Sequence, residues 1–71
     1  MTEKEKAILR FLKGGDEFHE LKIVEATKGL GTVPTSMVLA ALEARGLVQL
    51  HGQNHSRFYS ITGPGEEALH G

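Results

Sequence analysis

His51 and His55 are separated by three residues, a spacing that could begin a metal site. Zinc asks for four ligands, and no cysteine or carboxylate lies close to the pair in sequence. The run "HGQNHS", His51 to Ser56, is made of turn-forming and polar residues. The pair therefore reads as part of a polar loop in which His55 makes hydrogen bonds, and neither a metal nor a cofactor is expected. "GLG", Gly29 to Gly31, could cradle a phosphate, but it lacks the lysine and the preceding strand of a P-loop. Helix termination explains it better. No carboxylate pair falls in a candidate pocket and no Ser-His-Asp set can be argued, so the chain is not expected to be an enzyme. What remains are side chains suited to holding a partner: Arg57 at the edge of the loop, the hydroxyls of Thr32, Thr35 and Ser36, and the cations Lys22 and Lys28.

With 71 residues the chain is expected to form one domain, residues 1–71, near the lower size limit for independent folding. Hydrophobic residues at 39% and charged residues at 24% are ordinary for a soluble globular domain. No apolar run approaches the roughly 18 residues of a membrane span. Cysteine is absent, which removes disulfides and thiolate chemistry and fits a cytoplasmic setting. "MTEKEK" has no signal-peptide character, and Met1 reads as a natural start rather than the edge of an excised piece. The net charge of −1 gives no overall pull towards nucleic acid, so any such binding depends on positive groups sharing a face.

Three helices and a hairpin must position these groups. The first helix covers Thr2 to Lys13. Thr2 and Glu5 have capping-box spacing, Ala7, Ile8, Phe11 and Leu12 form its apolar face, and Gly14-Gly15 ends it. The second covers Asp16 to Gly29. Asp16 can cap it, with Phe18, Leu21, Val24 and Ile23 inward; alternatively Asp16 to Phe18 form a short extended bridge before a helix starting near His19. The third follows "GLGTV". Thr32 is a candidate cap, Pro34 suits a first turn, and Thr35, Val38, Leu39 and Leu42 make one stripe. Met37 lies beside that stripe and fits either core or surface. Gly46 then stops the helix. Leu47, Val48 and Leu50 begin a strand, and Arg57 to Thr62 return from the polar loop with Phe58 and Ile61 as apolar residues and Tyr59 opposite Phe58, half-buried. Glu66 to His70 are expected to add one helical turn with Leu69 pointing back.

At the junction of third helix and hairpin the chain resembles the winged helix-turn-helix domains of prokaryotic transcription regulators such as the MarR and PadR families. The residues that carry the likeness are Leu42-Glu43, Gly46-Leu47-Val48, the aromatic pair Phe58-Tyr59, and Thr62, Gly65 and Leu69 at the end. The resemblance implies a mainly α member of the α+β class, a three-helix bundle followed by a β-hairpin wing. It also implies a small cytoplasmic regulator that binds double-stranded DNA, with the third helix in the major groove and the wing on the backbone.

Carried over by position, the resemblance places Thr35, Ser36, Met37 and Ala40 in the groove, with Thr32 and Pro34 at its entry. Gln53, Asn54, His55, Ser56 and Arg57 become the wing contacts, and Lys22 and Lys28 reach the backbone. Serine and threonine can serve phosphates or base edges, while methionine and alanine can meet a thymine methyl. The third helix carries no arginine, lysine, asparagine or glutamine before Arg45, so bidentate reading of guanine or adenine is not available from it. Two further arrangements stay open: a homodimer on paired half-sites, formed through the first helix, the tail or the hairpin, and a protein partner on the neutral strip Met37, Ala40, Ala41 and Ala44.

Overall fold

A computed structural model describes residues 1–70. It is a small α+β domain in which α1 (Glu3–Leu12), β1 (Phe18–His19), α2 (Glu20–Ala26), α3 (Thr35–Ala44), β2 (Val48–His51), β3 (Phe58–Ile61) and α4 (Gly63–His70) follow in order. The strands form one antiparallel sheet, β1-β3-β2. No helix among the described residues is long and apolar enough to cross a membrane.

The start of α1 is fixed as its sequence predicts. The Glu5 N–H donates to Thr2 Oγ1 at 3.2 Å and the Thr2 N–H donates to Glu5 Oε1 at 2.7 Å. The first of these donors would otherwise lack a partner in the opening turn. Ile8, Leu9 and Leu12 are fully buried, whereas Ala7 and Phe11 are only partly covered. The buried face is thus turned slightly from the expected one and takes in Leu9.

The second helix differs more. It begins at Glu20, not Asp16; residues before it are extended, and Phe18 and His19 pair with Tyr59 and Phe58 as a third strand. That is the shorter of the two alternatives open to the sequence. Seven residues give α2 two turns, and the row facing inward is Ile23 with Thr27 just beyond the helix end. Residues four apart share a face, so Leu21 and Val24 point outward, and Leu21 is 69% exposed. Phe18 packs instead from β1, its ring 4.7 Å from that of Phe11.

α3 buries Thr35, Val38, Leu39 and Leu42, the stripe its period predicts. Its N-cap is Pro34 and no side chain caps it, so Thr32 does not take that role. Gly46, at φ +74°, turns the chain from α3 into β2. The Gly46 and Leu47 N–H groups donate back to the carbonyls of Glu43 and Leu42. Left-handed backbone at this point favours glycine.

In the hairpin, Val48 opposes Ile61 and Leu50 opposes Tyr59. Directly opposed residues share a sheet face. The inner face is therefore Val48, Leu50, Phe18, Tyr59 and Ile61, and the outer face carries His19, Phe58 and His51 side by side. Tyr59 is 3% exposed and Phe58 36%, so the tyrosine is core and the phenylalanine lies outside, reversing the expected roles. The single core cluster joins α1, α2, α3 and the sheet, and Leu69 and Ala68 of α4 pack against it. α4 starts at Gly63, earlier than the expected Glu66, and Thr62 stands at its beginning: its Oγ1 accepts the Gly65 N–H at 3.1 Å and donates to the Gly46 carbonyl at 2.7 Å.

Candidate functional site

With one side of α3 packed on the bundle, the other side is left bare. Ser36, Met37 and Ala40 lie on it, and Thr32 and Pro34 are exposed at its entry. Met37 is 62% exposed, which decides its position in favour of the surface. Thr35 belongs to the opposite side. It is buried, and its hydroxyl lies 2.7 Å from that of Thr27. Its side chain ties α3 to α2 and is not available to a groove, which corrects the expected contact set. The exposed arc is uncharged until Glu43 and Arg45, and Arg45 is itself held by Glu5 at 3.0 Å.

The hairpin loop is a closed turn. The Ser56 N–H donates to the Gln53 carbonyl at 3.1 Å, and Asn54 sits in the left-handed region at φ 58°. Gly52, at φ +83°, faces the Ser56 carbonyl so closely that a Cβ would collide with it. Gln53, Asn54, His55, Ser56 and Arg57 are all exposed around this turn. Lys22 on α2 and Lys28 beyond its end are exposed as well.

Two bonds relate the loop to α2. The Glu20 N–H donates to the Arg57 carbonyl at 2.9 Å. His19, the N-cap of α2, accepts the Leu21 N–H on Nδ1 at 3.1 Å, and its Nε2 lies 3.0 Å from the His55 carbonyl. An acceptor at Nδ1 and a carbonyl at Nε2 assign the proton of the neutral ring to Nε2. The ring also stands edge-on to Phe58, centroids 5.0 Å apart. His51 is placed differently from His55. It ends β2 on the sheet's outer face, with Nε2 2.8 Å from Ser60 Oγ and Nδ1 4.0 Å from a Glu17 carboxylate oxygen. Among the described residues no three histidine, aspartate or glutamate side chains are grouped to hold a metal ion.

Two groups have displaced acidities. The backbone N–H of Thr2 is the main cause that lowers Glu5, aided by the Thr2 hydroxyl and the Arg45 charge and opposed by burial. Burial is the main cause that raises Tyr59, reinforced by the nearby Glu20 carboxylate, to which its hydroxyl donates at 3.4 Å.

A feature absent from the sequence reading is an apolar groove of about 580 Å³ between the start of α1, the segment after α2 and α3. Leu30, Val33, Met37 and Ala41 line it, and Lys4 closes one side by donating from Nζ to the Val33 carbonyl at 2.6 Å. Its size lies within the range of ligand clefts. Met37 and Ala41 of the neutral α3 strip were legible as one wall of it, and Leu30 and Val33, apolar residues inside an irregular segment, were the signal for the other. No protein-family model matches the chain, and no curated protein matches it in sequence.

Proposed function

We propose that this chain is a winged helix-turn-helix protein that binds duplex DNA, with α3 in the major groove and the β2–β3 hairpin as a wing on the backbone. The observation that supports this best is the placement of α3. Val38, Leu39 and Leu42 anchor it, Ser36, Met37 and Ala40 remain free along the opposite side, and the hairpin leaves directly from its end. A major groove about 12 Å wide admits such a helix.

In this reading Ser36 and Thr32 donate to phosphate oxygens at the helix entry, and Met37 and Ala40 touch base edges, favouring a thymine methyl. Arg57, Lys22 and Lys28 neutralise phosphates and give binding its salt dependence. Without a bidentate side chain on α3, one copy discriminates weakly between sequences. Two copies on paired half-sites gain both affinity and selectivity. A small cytoplasmic regulator in a prokaryote acting by occupancy alone, with no chemical step, is the role that fits.

Titration of fluorescent duplex DNA at low salt tests the reading. Nonspecific binding by such surfaces lies at about 10⁻⁴ to 10⁻⁶ M at physiological salt and tightens as salt falls. A salt-dependent shift in the micromolar range is expected, and no shift at tens of micromolar in low salt rejects DNA as the partner.

The apolar groove favours a second reading, a protein-interaction module. Leu30, Val33 and Met37 expose contiguous apolar surface there, and the neutral outer side of α3 continues it. Substituting Leu30 or Val33 by serine separates the two: DNA binding is expected to survive and a protein contact to weaken.

A further inference from the structure

We infer that His19 is the positioning residue of the wing, a single ring that fixes the hairpin tip relative to α2. The ordinary N-cap residues Ser, Thr, Asp and Asn are short and reach no further than the γ or δ atoms beside the helix N–H. An imidazole carries a second nitrogen on its far side, and here that nitrogen meets the loop. Nδ1 takes the Leu21 N–H and Nε2 donates to the His55 carbonyl, so one rigid group registers helix and loop together.

The need for such a joint follows from the sheet. The ladder between β2 and β3 ends at the pair His51 and Phe58. Beyond it, residues 52–56 are closed by their own turn bond from Ser56 to Gln53. Among the described residues, the His19 ring supplies the one side-chain hydrogen bond from that tip to the rest of the molecule, beside the backbone bond from the Glu20 N–H to the carbonyl of Arg57 at its edge. Phe58 supports the ring edge-on from the middle strand, which limits its rotation. The ring therefore decides where Asn54, His55 and Ser56 stand relative to the rest of the fold. Its effect on DNA affinity rests on the wing reading above; its effect on loop order does not.

The two roles can be separated by His19→Asn. Asparagine is among the best N-caps and keeps the bond to Leu21, but it has no atom where Nε2 lies. The expected result is a cooperatively folded protein whose thermal midpoint drops only by the lost ring contact with Phe58, with backbone order parameters at residues 53–56 falling from about 0.85 towards values below about 0.6. Duplex affinity is expected to fall several-fold, while Ser36 and Lys28 contacts persist. Order parameters in the variant equal to those of the parent overturn the inference. A second measurement needs no variant: ¹⁵N shifts of the parent ring must show the proton on Nε2, and a proton on Nδ1 overturns the inference equally. If the parent binds no duplex at all, the DNA reading fails while the order parameters and ring tautomer still decide the role of His19.

Discussion

The hydroxyl oxygens of Thr27 and Thr35 lie 2.7 Å apart inside the protein and join the end of α2 to the first turn of α3. Thr27 also donates to the Ile23 carbonyl at 2.9 Å, so its one proton is used within its own turn. Thr35 is then the donor between the two threonines. The whole chain runs from Thr35 to Thr27 to Ile23 and leaves no buried hydroxyl unpaired.

Breaking that chain at one point strands a polar group. Thr27→Val leaves the Thr35 hydroxyl buried without its acceptor, at a cost of about 1–3 kcal/mol. In a domain this size that lowers the thermal midpoint by roughly 4–8 °C for each kcal/mol. Combining it with Thr35→Val removes both polar groups and is expected to recover part of the loss. A double-mutant cycle by thermal denaturation measures the coupling, and strictly additive losses would show that the threonines are not bonded.

Gly65 is the other site where the packing leaves no room. A Cβ there would press on the Leu47 carbonyl and approach Ile61 Cγ1 at 2.8 Å. Since one obstacle is backbone, Gly65→Ala is expected to destabilise by about 1–3 kcal/mol. Gly63→Ala, at a position with open space around it, serves as the control and should change little. Urea unfolding of the two variants checks the contrast.

The alkaline limit of stability carries a signature of Tyr59. Its folded acidity is shifted above the ordinary phenol value of about 10. The fold therefore favours the neutral phenol. The resulting stabilisation is complete below about pH 10 and is lost as pH rises through the folded value. Tyr59→Phe should remove that component, so the gap between parent and variant in urea midpoint is constant below about pH 10 and narrows as pH rises above it. A gap constant across that range too would show that the phenol is not shifted.

Arg57 tests the wing. Arg57→Ala is expected to weaken binding to all duplexes alike and to reduce the slope of log affinity against log salt by about 1. A slope unchanged from the parent assigns Arg57 to the solvated surface instead.

Local signals were legible where a few neighbouring residues decide the outcome. Thr2 and Glu5 announced their capping box, the period of Val38, Leu39 and Leu42 announced the buried side of α3, and the polar run His51 to Ser56 announced the loop between two strands. The candidate contacts Ser36, Met37, Ala40 and Gln53 to Arg57 are exposed, the condition any contact role requires.

Other features depended on partners far along the chain. Whether Asp16 or His19 opens α2 turns on Phe18 and His19 finding β3, where they pair with Tyr59 and Phe58 some forty residues away. That pairing shortened the helix, turned Leu21 and Val24 outward and moved Phe58 off the core. The period of α3 put Thr35 on the inner stripe while the resemblance put it in a groove, and its bond to Thr27 decides for the inside; His19 was legible as a helix start, but its second partner, the carbonyl of His55, was not. Periodicity and caps are properties of adjacent residues, so the sequence by itself determined that helices and turns form in these stretches, and α1 and α3 nearly to their ends. Rotation of each element, and which polar groups are spent inside, follow from close packing and hydrogen-bond pairing between distant segments, and only the tertiary structure decided them.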